Sequence, residues 1–265
     1  MKSPTEPTTP RPGDNYVQSF ARGLQVLRSF SAQAPRQTLS EVAERAGITR
    51  AGARRILLTM QTLGYVQSDG KLFRLTPRVL DLGFAYLSSM PIWDLAEPEV
   101  EALVNRVKES SSVAVLDGAE IVYVMRVPTH KIMKISLGIG SRLPAFCTSL
   151  GRVLMSDLED SEIVQRLESA PHAALTRHTV TDIPKILARI QQVRKQGWCL
   201  ANQELEEGLI SVAAPLRSAD GRITAAINVS GQANRTNAQE IQEKILPPLL
   251  ETAQTISRLL RRKGG

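Results

Sequence analysis

From Ser19 onward the apolar residues fall at helical spacing. Phe20, Leu24, Leu27 and Phe30 lie at i, i+4, i+7 and i+10, on one face of a helix. Residues 31–37, with Pro35, read as a loop. A second helix is predicted next, with Thr38 as N-cap and Glu41 completing a capping box. Leu39, Val42, Ala43 and Ala46 form its inner face and Gly47 stops it. Ile48 and Thr49 bridge a very short turn, and Thr49 is the candidate cap of a third helix from Arg50 to about Leu63. Ala53, Ile56, Leu57, Met60 and Leu63 share one sector of that helix. Arg50, Ala51, Arg54, Arg55 and Thr62 lie towards the other side. The pattern then changes. Tyr65–Gln67 and Leu72–Leu75 read as two short strands around Ser68-Asp69-Gly70-Lys71, a β-hairpin. Thr76-Pro77 opens a further helix through Leu87, and Pro91 marks a joint.

The second part mixes both periods. Helices are predicted at about 96–109, Leu150–Met155, Ser161–Glu168, Ile183–Gln196 and about 238–262. In the last, Ile241, Ile245, Leu249, Ala253, Ile256 and Leu260 share a face, and Pro247-Pro248 should kink it. Strands are predicted at Val113–Leu116 and Ile121–Arg126 around Asp117-Gly118, at Met133–Leu137, and at Val212–Leu216 and Thr224–Val229 around Asp220-Gly221. Hairpins without crossovers point to an antiparallel α+β arrangement.

Composition narrows the class. The 265 residues are 42% hydrophobic, enough for a packed core. No apolar run approaches a membrane span. The first residues, MKSPTEPTTPRPGD, carry four prolines and no apolar stretch. They read as a flexible or polyproline-like tail and not a signal peptide. The only cysteines are Cys147 and Cys199, so neither a disulfide framework nor a cysteine zinc site is expected, and a reducing cytoplasm fits. The formal charge is +7, and residues 1–90 carry twelve basic and six acidic side chains, leaving +1 for the rest. A polyanion partner for the first third would explain that asymmetry; a solvated basic face is the alternative.

Helix, tight turn and helix at Thr38–Leu63 is the arrangement of a helix-turn-helix. Ala43 is small where the helices cross, and Gly47 permits a left-handed turn. An ordinary helical hairpin is the competing reading. The exposed arginines, the hairpin placed as a wing and the charge asymmetry favour DNA. Arg54 and Arg55, with Arg50, are placed to reach guanine edges or phosphates, and Ala51 a thymine methyl. Arg22, Lys71 and Arg74 are better placed for backbone phosphates.

These residues resemble the IclR family of transcriptional regulators. SFARGLQVLRSF resembles its first helix, LSEVAERAGITRAGARRILLTMQTLGYV its helix-turn-helix, and FRLTPRVLDLG its wing-to-linker passage. RLPAFCTSLGRVLM is similar to the PcaR, PcaU and PobR branch, regulators of protocatechuate, 4-hydroxybenzoate and β-ketoadipate catabolism. GWCLANQELEEGLISVAAPL and AAINVSG complete the C-terminal pattern, so the resemblance spans about residues 16–262.

The resemblance implies an α/β (α+β) fold. Its parts are a tail (1–15), a winged helix-turn-helix (16–77), a linker helix (78–95) and a GAF-like effector-binding domain (96–265). It implies a cytoplasmic dimer or tetramer on a palindromic double-stranded operator, contact with RNA polymerase, no membrane, and no cofactor beyond a small aromatic or dicarboxylic acid effector. Activation of a catabolic operon is the leading expectation, and repression in response to another small acid the alternative. The pocket implied lies at Cys147, Thr148, Ser149 and Leu150, with Ser211, Asn228, Ser230 and the loop near Ala201 and Asn202 opposite. Thr148 and Ser149 precede a helix whose free N–H groups favour an anion. Ala201 stands where some relatives carry an acidic residue. Arg126 and Arg142 are candidate charge partners, with a structural or surface role as the alternative for each. For Ser211, Asn228 and Ser230 the alternative is backbone-satisfied core polarity.

Enzyme chemistry finds no support. Thr-Ser-Leu-Gly at Ser149 lacks the first glycine of a nucleophile elbow. Gly138-Ile139-Gly140 lacks the third glycine of a dinucleotide fingerprint. His130, His172 and His178 are scattered, without zinc spacing. Asp160, Glu162, Glu204, Glu206 and Glu207 read as surface charges.

Overall fold

The structure, a computed structural model, describes residues 13, 16–89, 92–129 and 137–263. The readings of residues 1–15 as a tail, of Pro91 as a joint and of His130 lie outside the described residues, Gly13 and Tyr16 onward aside. So does the strand expected at Met133–Leu137, except for Leu137, which is in no strand. Contacts divide the chain into two units, Met1–Tyr86 and Leu87–Gly265.

The first unit holds α1 (Gln18–Ser29), β1 (Gln37–Thr38), α2 (Leu39–Arg45), α3 (Arg50–Thr62), β2 (Val66–Ser68) and β3 (Leu72–Leu75). After a short 3-10 turn at Pro77–Val79, α4 (Leu80–Ser88) begins. Thr38 caps α2 with the full capping box: its side chain accepts from the Glu41 amide while the Glu41 carboxylate accepts from the Thr38 amide. Gly47 and Gly64 then end α2 and α3 in the same way, at φ +63 and +82. Each bonds back one turn, and the following residue (Ile48, Tyr65) donates to the carbonyl five residues earlier, Ala43 or Met60. That closing motif lets α3 start four residues after the α2 cap at Ala46, with Thr49 as its own N-cap on the Gly52 amide.

Val26, Val42, Ala43, Ala46, Ala53, Leu57, Met60 and Val66 form the core of this unit. Three expectations change here. Phe20 and Leu24 are exposed (67% and 44%), because α1 turns Val26, Leu27 and Phe30 inward and leaves the leading edge of its stripe outside. Leu63 is exposed because the helix has already ended at Thr62. The stretch read as a loop ends in β1, whose Gln37 and Thr38 pair with Phe73 and Leu72, so the wing has three strands, β1-β3-β2.

The second unit is built on one antiparallel sheet. Its order is β6 (Arg142–Pro144), β5 (Glu120–Val127), β4 (Ser110–Asp117), β9 (Ile223–Gln232), β8 (Leu209–Arg217) and β7 (Cys199–Asn202). One face packs on α5 (Ile92–Val107) and α10 (Leu246–Lys263), through Val113, Val115, Val212, Ile227 and Val229 against Val100, Leu103, Leu249 and Ile256. The other face packs on α6 (Ser149–Met155) and α8 (Ile183–Gln196), with α7 (Asp160–Glu168) beside them. Ala114, Ile121, Tyr123, Ala213 and Ala226 meet Leu150, Val153, Ile186 and Ile190 there. β6 has no counterpart in the apolar pattern, and β7 is a strand in place of the loop expected near Ala201 and Asn202. α5 starts at Ile92, four residues earlier than its apolar pattern. Ahead of Pro247-Pro248, which cannot donate helical bonds, the chain runs from α9 (Ala238–Glu240) through a π turn at Ile241–Ile245, where the Leu246 amide reaches Ile241.

Candidate functional site: an arginine-bearing helix and a closed polar cavity

α3 contains no acidic residue, and Thr49, Arg50, Ala51, Arg54 and Arg55 are all exposed. With Ala53, Leu57 and Met60 turned into the core, Ala51 and Arg54 lie on the outward face. Arg55 lies towards α1, where it and Arg22 line a groove of about 620 Å3 floored by Leu27, Ile56 and Met60. Lys71 and Arg74 are exposed on the wing. The Asp69 side chain accepts from the Lys71 and Leu72 amides and so fixes the wing tip. Arg78, which sequence reasoning did not single out, stacks over Tyr65 at 5.5 Å.

The groove is open and mostly apolar, with Arg22 and Arg55 in its lining. Polar groups converge in the second unit. A bulge between Val113 and Ala114 pairs Met125 with Val113 and Tyr123 with Ala114. Tyr123 and Arg126, three residues apart, would otherwise face opposite ways; the bulge puts both on the α6 side. In register across the strands stand Arg126, Ser112 and Asn228, and one row further Ser110, Ser230, Ser211 and Ala201.

Asn228 organises this face. Its Oδ1 accepts from the Ser112 amide at 3.1 Å, and its Nδ2 donates to Ser211 and Ser230 at 2.9 Å each. Ser211 and the Ser149 hydroxyl of α6 share a bond of 2.8 Å. Arg126 Nη1 donates to Ser112 Oγ at 3.3 Å. Cys147, Thr148, Ser149, Leu150, Ser211, Asn228 and Ser230 thus line one cavity of about 30 Å3. Tyr123, Ala201, Glu204, Leu205 and Leu209 complete it. Burial pushes the Cys147 thiol and the Tyr123 phenol each up to about 12, so both stay protonated at neutral pH. The Thr148 hydroxyl caps the Gly151 amide, and α6 has only seven residues, which leaves little of the expected dipole for an anion.

Two expected residues lie elsewhere. Asn202 is exposed and pairs with Ile210, whose side chain belongs to the opposite face, so it is Ala201 that reaches the cavity. Arg142 sits on β6, the edge strand, bonded to Glu120 and Asp117 at 2.7 Å each. Those bonds raise its pKa and engage its Nε and Nη2. Glu204, read as a surface charge, is 4% exposed and paired with Arg152, itself 1% exposed. Its flanking sequence, Asn-Gln-Glu-Leu-Glu-Glu, gave no signal that one of three carboxylates turns inward. Tyr123 and Ser112 were hidden because a bulge cannot be read from alternation. Among the described residues no cluster of His, Cys, Asp and Glu is arranged to hold a metal, and no helix is long and apolar enough to cross a membrane.

Comparison with known proteins gives the same division. The profile of the IclR helix-turn-helix domain matches residues 19–70, and that of the bacterial transcriptional regulator IclR C-terminal region matches residues 84–258. The chain is 39% identical to the Pca regulon regulatory protein of Pseudomonas putida over 91% of its length and 84% of the relative's. It is 36% identical to the p-hydroxybenzoate hydroxylase transcriptional activator of Acinetobacter baylyi over 93% of both chains. An IclR homologue from Microbacterium hydrocarbonoxydans, solved in complex with 4-hydroxybenzoate, superposes with a TM-score of 0.80 at 25% identity, covering 92% of this chain and 99% of that one.

Proposed function

The chain belongs to the IclR family of bacterial transcriptional regulators, and from that premise we propose that it activates an aromatic-acid catabolic operon when a small carboxylate fills the cavity floored by Asn228. It is a DNA-binding regulator and not an enzyme, as its family and relatives are. The observation that carries the effector reading is the neutral polar face of Ser211, Asn228 and Ser230, with Arg126 brought alongside by the bulge. Hydroxyls and an amide suit the phenol of a hydroxybenzoate, and a guanidinium on the same face suits its carboxylate. The complex of the Microbacterium homologue with 4-hydroxybenzoate supports this choice of ligand.

α3 enters the major groove of a double-stranded operator, with Arg54 reading bases and Lys71 and Arg74 on phosphates, while Arg22 and Arg55 belong to the α1–α3 groove. Residues 16–77 serve DNA, 78–95 form the linker and 96–265 take the effector. A second copy of the chain covers the α1–α3 groove, where Phe20, Leu24, Leu63 and Leu82 are all exposed in the single chain. A two-fold dimer then matches a palindromic site. The effector binds two arrangements of the dimer unequally and shifts the spacing of the paired helices, and the bound arrangement recruits RNA polymerase in the cytoplasm.

A thermal-shift screen of the purified protein with 4-hydroxybenzoate, protocatechuate and β-ketoadipate tests the effector reading. At a hundredfold excess over Kd the true effector stabilises by about 2.7 kcal/mol. No shift with any of the three acids contradicts the reading.

A further inference from the structure

The cavity measures about 30 Å3, an order of magnitude below the roughly 300–1,000 Å3 of pockets that enclose small ligands. One wall has to move before anything larger than a water enters. The sheet wall comes from β5, β8 and β9, with the edge strand β7 adding only the buried Ala201, and Cys147, Thr148 and every residue of α6 are buried too. The remaining wall is the turn from residue 203 to 208 between β7 and β8, which supplies Glu204 and Leu205. Both ends of this turn sit in left-handed backbone, Gln203 at φ +59 and Gly208 at φ +83, and Glu207 and Gly208 are exposed.

What holds the turn down is polar. The Glu204 carboxylate accepts from Arg152 Nη1 and Nη2 at 2.7 and 2.6 Å and from Arg189 Nη1 at 2.7 Å. The hydroxyls of Thr176 and Thr179 donate to the carbonyls of Gln203 and Glu204 at 2.6 Å each. Only Leu205 packs on the apolar core behind the cavity.

We infer that the 203–208 turn is the gate of the cavity and that Glu204 is the positioning residue that keeps it shut. Arg152 on α6 is the fixed post. Arg189 on α8 is the outer half of the clasp: its side chain is 45% exposed, so water competes for its bond. Opening releases the Arg189 side first and swings Leu205–Gly208 away from Ser211 and Ser149. The gate rests on the effector reading only for its use in regulation; its motion is testable with no effector present.

Cys147 lines the cavity at 0% exposure, and Cys199 is the only other cysteine. In a Cys199→Ala background, the rate at which N-ethylmaleimide labels Cys147 reports opening. Adding Arg189→Ala should raise that rate several-fold while the melting temperature stays within a few degrees, and Arg189→Lys should bring the rate back towards the parent. An unchanged rate in Arg189→Ala overturns the gate. So does faster labelling that matches an equal rise in global unfolding measured in urea, because a structural role alone predicts that result. The thermal-shift screen decides separately whether the cavity takes an aromatic acid.

Discussion

Arg152 and Glu204 face each other through two parallel hydrogen bonds, with both side chains almost wholly buried. The Arg152 Nε also donates to the Phe146 carbonyl at 2.8 Å, so one guanidinium ties the turn carrying Glu204 to the segment just before α6. Removing it leaves a buried carboxylate with only the half-exposed Arg189. Arg152→Met is therefore expected to lose about 3–5 kcal/mol of stability, read by urea unfolding. Arg152→Lys should recover only part of that, because an ammonium cannot reproduce the fork. A neutral Arg152→Met would contradict the pairing.

Gly151 shows how closely α6 approaches the turn that carries Cys147. A Cβ at this position would collide with the Ala145 carbonyl oxygen and Cα. Those are backbone atoms and cannot step aside. Gly151→Ala should cost at least about 1–3 kcal/mol and displace the Thr148 cap. The check is the melting temperature, and an unaffected one would show that the helix is not where the structure puts it.

The two arginines expected at the effector site separate cleanly. Arg126→Ala should weaken 4-hydroxybenzoate binding by at least about tenfold, the scale of one lost charge-assisted hydrogen bond. Arg142→Ala should leave it unchanged, because Glu120 and Asp117 already occupy that guanidinium. Isothermal titration of both variants decides it, and equal losses would return Arg142 to the site.

Acid should loosen the winged-helix unit before neutral pH has any effect. The Thr38 amide bond pulls the Glu41 carboxyl below its ordinary 4.5, and the Leu72 and Lys71 amides pull Asp69 below 3.8. A carboxyl lowered by folding contributes above its ordinary pKa and loses that contribution as pH falls through the folded value. The melting temperature should decline below about pH 4.5, with a smaller decline in Glu41→Gln. A flat profile down to pH 3 would contradict the capping assignment.

Much of this was legible in the sequence because local rules governed it. The capping box at Thr38 and Glu41, the glycine stops at Gly47 and Gly64 and the face shared by Ile241, Ile245 and Leu249 are short-range patterns, and all three hold. What was not legible depends on partners far along the chain. Strand β1 exists only because Phe73 and Leu72 pair with it. Glu204 is buried only because Arg152, 52 residues earlier, meets it. Tyr123 and Arg126 share a face only through a bulge in register. The exposed edge of α1, Phe20 and Leu24, looked like core because an apolar stripe does not say which protein it is buried against.

The central claim is that α3 reads DNA, and an anisotropy titration of a labelled promoter duplex tests it most directly. Arg54→Ala should lose about 1–3 kcal/mol on the specific site and become less selective at one base pair. Arg74→Ala should weaken specific and unrelated duplexes alike and lower the salt slope by about one. If Arg54→Ala binds the specific duplex as tightly and selectively as the parent protein, the helix is not the reader and the account fails.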